Sequence, residues 1–158
     1  MRKTTRYARK RAHAPSRIDP AAVARVIDYV RPFDAGDMLA AHNHVRVAFE
    51  RLRTGCGEIA HFDLLAEAIN ANAIRAESID ADLLQVMKTA QSAVARLRAR
   101  YLTHGKFGFD AEGLQAIPPA LDVGEAITDA SSPLQMINAI KEMHHRLNVV
   151  NTFTGESA

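Results

Sequence analysis

Residues Ile79 to Gly105 read IDADLLQVMKTAQSAVARLRARYLTHG. Leu83, Met87, Ala90, Val94, Leu97 and Tyr101 recur at spacings of 4, 3, 4, 3 and 4, which lays one apolar stripe along an α-helix. Asp80 is placed to cap the start, and Gly105 to end the helix in the left-handed conformation. Arg96, Arg98 and Arg100 crowd the last turns, where positive charge suits the helix dipole. Such a helix is roughly 35 Å long at 1.5 Å per residue. It cannot bury its stripe alone, so the spacing predicts an assembly of helices arranged against it.

Upstream, Ile59, Phe62, Leu65, Ala66, Ile69, Ala73 and Ile74 form a broad apolar face on a helix that starts near Glu58. Asn70 and Asn72 interrupt that face at little cost if they point outward. Before it, Asp34 caps a helix striped by Met38, Ala41, Val45, Ala48, Phe49 and Leu52, and Gly55 closes it. The links are short, so residues 34–104 read as an up-down-up unit of three antiparallel helices. Earlier still, Asp19-Pro20 is a helix start, followed by Val23, Val26, Ile27 and Val30 at i, i+3, i+4 and i+7. Pro32 ends that short element.

Downstream, Lys106-Phe-Gly-Phe-Asp110 is a compact turn whose rings plug the end of the bundle. Asp110 caps a helix bearing Leu114 and Ile117. Pro118-Pro119 should then kink it or force a fresh start at Ala120, because an interior proline loses a hydrogen bond and clashes with the preceding turn. Ser132-Pro-Leu-Gln135 is a capping box that opens a last helix to about Val149, with Met136, Ile140, Met143, Leu147 and Val150 on its stripe, flanked by His144. No strand pattern appears. The reading is therefore all-α: an antiparallel helical bundle of a three-helix unit plus a C-terminal helix. It divides into a disordered basic arm at 1–18, one helical domain at 19–150 and a frayed tail at 151–158.

Composition narrows the function classes. The chain has 158 residues, 47% hydrophobic and 24% charged, and one cysteine, Cys56, so no internal disulfide forms. No apolar run approaches the roughly 18 residues of a membrane span, and without an apolar stretch after the charged start no secretory signal is expected. A cytoplasmic protein with no membrane partner is expected. The formal net charge of +2 hides a division: residues 1–18 hold seven of the 20 basic residues and no acid. The remaining 13 face all 18 acids, leaving −5 from Asp19 onward.

Four segments carry a resemblance: RKTTRYARKR at 2–11, AFERLRTG at 48–55, GKFGFDAEGLQAI at 105–117 and ALDVGEAI at 120–127. Together they resemble a family of small uncharacterised helical proteins of proteobacterial phages and plasmids. The chain departs from that family at Pro118-Pro119, where similar sequences run on as one helix. The resemblance implies a bacterial mobile-element context and no catalytic residue.

Several residues are candidates for chemistry. Glu58-x-x-His61 and Glu142-x-x-His145 match half of a di-iron carboxylate site, and Glu50 is a candidate third ligand, but a fourth carboxylate is missing. Solvated pairs at helical spacing explain both motifs more simply. Cys56 with His61 lacks an orienting third group. His144, on an apolar face, reads as a partly buried histidine. No catalytic residue, metal or cofactor is expected, and the protein reads as no enzyme. The strongest signal is the arm: Arg2, Lys3, Arg6, Arg9, Lys10, Arg11 and Arg17 suit phosphates, and Tyr7 suits base stacking. Arg96, Arg100 and Lys106 form a second, weaker cationic gathering. The expected function is a non-enzymatic mobile-element accessory protein that binds nucleic acid through the arm. The alternative is an inhibitor or adaptor docking on another protein through a helical surface.

Overall fold

The computed structural model describes residues 34–154. The expected arm at 1–18 and the short helix after Pro20 lie outside the described residues. Five helices follow in order: α1 Ala35–Arg53, α2 Ile59–Ala76, α3 Ala81–His104, α4 Ala111–Asp129 and α5 Pro133–Thr154. Among the described residues there is no strand, and the bundle is all-α as its periodicity requires.

The start and stop signals act as the sequence implies. Asp34 accepts the Gly36 N–H at 3.3 Å. Asp80 accepts those of Asp82 and Leu83 at 2.7 and 3.2 Å. Asp110 accepts that of Gly113 at 2.7 Å. Ser132 and Gln135 exchange the reciprocal bonds of a capping box. Gly55 and Gly105 end α1 and α3 at φ of 76° and 69°, values that side chains with a Cβ resist.

Burial follows the α3 stripe. Met87, Ala90, Val94 and Leu97 are buried, and Leu83 and Tyr101 are half-buried at its ends. The turn after α3 seals the bundle with rings: Phe107 stacks on Tyr101 at 4.1 Å and on Phe62 at 5.5 Å, and Phe109 meets Phe49 at 5.5 Å.

Four expectations are corrected. First, α3 is not the helix around which the rest is arranged. It packs on α2 and α4, whereas α2 packs against each of the other four. Its stretch Ala71, Asn72, Ala73 and Ala76 is buried, and these small side chains let neighbours approach from several sides. Second, Asn72 points inward. Thr128 Oγ1 donates to its Oδ1 at 3.2 Å, and Gly124 makes room for it, since a Cβ there would lie 2.9 Å from Nδ2. Third, Pro118 and Pro119 do not divide α4, which is one helix. Both prolines are exposed, as are Leu114 and Gln115, whose carbonyls lose their donors. Those carbonyls can bond to water, while Ile117, Ala120, Leu121, Gly124 and Ile127 hold the other face in the core. Fourth, α5 is helical as far as Thr154, beyond the end near Val149 that the sequence implied. On its stripe Met143 is buried, whereas Leu147 is 47% exposed.

Two substitutions test this arrangement. Leu97→Asp places an unpaired carboxylate where 1% of the side chain is accessible, and loss of the cooperative unfolding transition is expected. Pro118→Ala restores a hydrogen bond on an exposed helical face. It should stabilise the protein by about 2 kcal/mol: roughly 3 for an interior proline, less up to about 1 for the freer unfolded chain. Urea unfolding of each variant measures both.

Candidate functional site

Of the expected cationic residues, Arg2, Lys3, Arg6, Tyr7, Arg9, Lys10, Arg11 and Arg17 lie outside the described residues. Arg96, Arg100 and Lys106 are described, at the junction of α3 and α4. Arg96 is not a free cation. Its Nε donates to Asp110 Oδ2 at 2.7 Å, and its guanidinium lies 3.2 Å from Glu112. The carboxylate it grips is the same one that caps α4 through Gly113. Arg96 therefore ties the end of one helix to the start of the next, and it is half-buried rather than exposed. Arg100 and Lys106 are exposed and, among the described residues, have no ion-pair partner. Asp110 nevertheless lies within the field of Arg100. The gathering is thus offset on one side by two acids.

The same economy of charge runs over the rest of the described surface. Arg46 bridges α1 to α4 through Glu125 at 2.6 Å and Asp122 at 2.7 Å. Arg146 bridges α5 to the end of α2, holding both oxygens of Glu77 at 2.7 and 2.9 Å while its Nε reaches Glu142. The hydrogen bonds that they donate to these carboxylates raise both guanidinium pKa values still further above their ordinary range. Arg53 pairs with Glu50 within α1. The fork geometry of arginine suits such two-carboxylate contacts.

The residues considered for metal and nucleophile chemistry have other occupations. His61 Nδ1 accepts the Glu58 N–H at 3.1 Å, so this Glu-x-x-His is a helix cap. Glu142 and Glu50 are engaged by arginines. Among the described residues no three His, Cys, Asp or Glu side chains converge as a metal site. Cys56 is exposed and its Sγ lies 3.9 Å from the Thr54 carbonyl. His144 is exposed, not half-buried as its place on the stripe implied. The histidine that is enclosed is His42. Its Nε2 is buried with no hydrogen-bond partner, 3.9 Å from Asp129 Oδ1. No described helix is long and apolar enough to cross a membrane.

A cavity of ≈ 210 Å³ opens beside His42, with an almost wholly apolar lining drawn from all five helices. The sequence signal for it was the histidine on the apolar side of α1. Recognising that needs the neighbouring helices in place.

No family model, curated protein or solved structure matches this chain.

The ion pairs carry a pH dependence. The hydrogen bond from Arg96, reinforced by the Gly113 N–H, holds the Asp110 carboxyl below its ordinary pKa. The contact with Arg146 does the same for Glu77. Each carboxyl ionises more readily folded than unfolded, so each stabilises the fold fully above the unfolded value of about 4. That stabilisation is lost as pH falls through the lower folded values. Thermal unfolding midpoints should therefore drop below about pH 4, and the double variant Arg96→Ala, Arg146→Ala should fall less steeply than the parent. Equal slopes would mean the two pairs add nothing.

Proposed function

We propose that this chain is a non-enzymatic accessory protein of a mobile element that holds nucleic acid through its N-terminal basic segment. The observation that carries the reading is the segregation of charge. Residues 1–18 contain seven cations and no acid, whereas residues 34–154 contain 11 basic and 15 acidic residues, a net of −4. Of those 11, Arg46, Arg53, Arg96 and Arg146 already face carboxylates. Phosphate is therefore attracted by the segment and repelled by most of the body. Flexible lysines and arginines need no defined fold to neutralise phosphates and release counterions. Arg100 and Lys106 supply a weaker contact that orients the body; Arg96 contributes less because its charge is spent on Asp110 and Glu112. The mobile-element context rests on the resemblance of the four quoted segments.

A second reading, an inhibitor or adaptor docking on another protein, draws on apolar side chains left at the surface. Leu102 is 73% exposed and Leu39 63%. Single exposed leucines are common on soluble domains, so this reading stands second.

Fluorescence anisotropy with labelled duplex and single-stranded oligonucleotides, over a salt series, tests the proposal. Deleting residues 1–18 should flatten the salt slope by up to about six units on duplex DNA, at roughly 0.9 per phosphate contact. Arg100→Ala with Lys106→Ala should cost about one to two units. A tailless chain that binds as well as the full one removes the segment from the mechanism. Absence of binding by the full chain moves docking on a protein to first place.

A further inference from the structure

The charge of the body is polarised along its helices. Rings tie one pole together: Phe49 near the end of α1 meets Phe109, while Phe62 of early α2 and Tyr101 of late α3 both stack on Phe107. The end of α1, the start of α2, the end of α3 and the turn into α4 therefore share that pole. The other pole gathers the start of α1, the link from α2 to α3 and the end of α4. There His42 lies 3.9 Å from Asp129, Thr128 bonds Asn72 and Arg75 bonds Ser131.

The two poles differ in composition. Residues 49–63 and 96–112, at the ring-sealed pole, hold six basic and five acidic side chains. Residues 34–37, 75–82 and 125–132, at the other, hold one basic and seven acidic. Arg146 reaches in from α5 to offset one of those seven, Glu77. At the ring-sealed pole Arg53 and Arg96 are spent on carboxylates. Arg51, Arg98, Arg100 and Lys106 are exposed there and have no ion-pair partner among the described residues. Outside the pairs they face two carboxylates, Asp63 and Glu58, and Glu58 caps α2.

We propose that a nucleic-acid duplex meets the body at the ring-sealed pole, where Arg51 and Arg98 join Arg100 and Lys106 on its phosphates. This surface rests on the nucleic-acid reading given above and adds which end of the body the ligand touches. The poles are about 28 Å apart along α1, several times the screening length of about 8 Å at physiological salt. A bound duplex therefore senses the local charge of the pole it touches, and the net acidity of the body does not repel it there. Four cations spread over the ends of α1 and α3 and the following turn suit a run of phosphates, which a duplex presents at about one charge per 1.7 Å of its axis. A single small anion needs donors that converge. Attachment of the N-terminal segment at Asp34 does not oppose this contact. Residues 18–33 reach up to about 50 Å when extended, further than the length of α1.

Two exposed cations on one helix provide the test. Arg98→Glu and Lys88→Glu change the net charge of the full chain equally, at sites about 15 Å apart along α3. With labelled duplex DNA at about 0.15 M salt, Arg98→Glu should weaken binding at least about fivefold and flatten the salt slope by about 0.9, whereas Lys88→Glu should change affinity by less than about twofold. Equal effects would overturn the proposal. The native Cys56, whose N–H bonds the Arg51 carbonyl, marks the same pole without any substitution. An acceptor dye on Cys56 should take more energy from donor-labelled duplex than one on Ala81→Cys in a Cys56→Ser chain, which marks the other pole about 35 Å away along α3. Equal transfer, or more from position 81, would overturn the proposal even if Arg98→Glu disturbs the fold. If deleting residues 1–18 removes binding while the two reversals act alike, the pole fails and the nucleic-acid reading stands. A full chain that binds no duplex overturns the pole, and one that binds no oligonucleotide of either kind overturns that reading as well.

Discussion

Helix α2 has almost nowhere to meet water over its second half. Leu65, Ile69, Ala71, Asn72, Ala73 and Ala76 are buried, and they lie around more than one face of the helix. A helix that is apolar on several sides must be enclosed on several sides. All four other helices pack on it. Alanine at 71, 73 and 76 keeps its surface thin, which lets helix axes come close without long side chains to interleave. The bundle is thus organised by the burial of a central helix, and the long stripe of α3 is one of the surfaces that accomplish it.

Burial of that kind is not directional, so polar ties decide the register. Asn72 is the clearest: a buried amide costs stability unless it is bonded, and it lies where Thr128 bonds it and Gly124 leaves space for it. Around the outside, Arg46 joins α1 to α4, Arg75 reaches Ser131 in the turn before α5, and Arg146 joins α5 to the end of α2. Exposed ion pairs of this sort each contribute modestly. They tie neighbouring helices together, and with the Arg53–Glu50 and Arg96–Asp110 pairs they set four of the 11 basic side chains of residues 34–154 against carboxylates. The contrast with residues 1–18 sharpens as a result.

Element boundaries were legible because they depend on neighbours in sequence. Asp34, Asp80, Asp110 and Ser132 cap helices, and Gly55 and Gly105 end them, through bonds and dihedral angles within a few residues. The buried stripe of α3 was legible for the same reason, since period alone places Met87, Ala90, Val94 and Leu97 on one face. Pro118-Pro119 misled because local cost is not the whole cost. The two orphaned carbonyls face solvent, while the opposite face of α4 is held by the core.

The sequence by itself determined an all-α chain, its caps and turns, and the separation of a basic segment from an acidic body, because each follows from local geometry or simple charge. Only the tertiary structure decided that α2 is central, that Asn72 is enclosed and His144 is not, that Arg96 spends its charge on Asp110, and that a trough beside His42 is open. Those outcomes depend on which faces meet across 14 to 79 residues of chain, as Arg96–Asp110 and Arg46–Glu125 illustrate. Periodicity says that a face is apolar, but it does not say what will cover it.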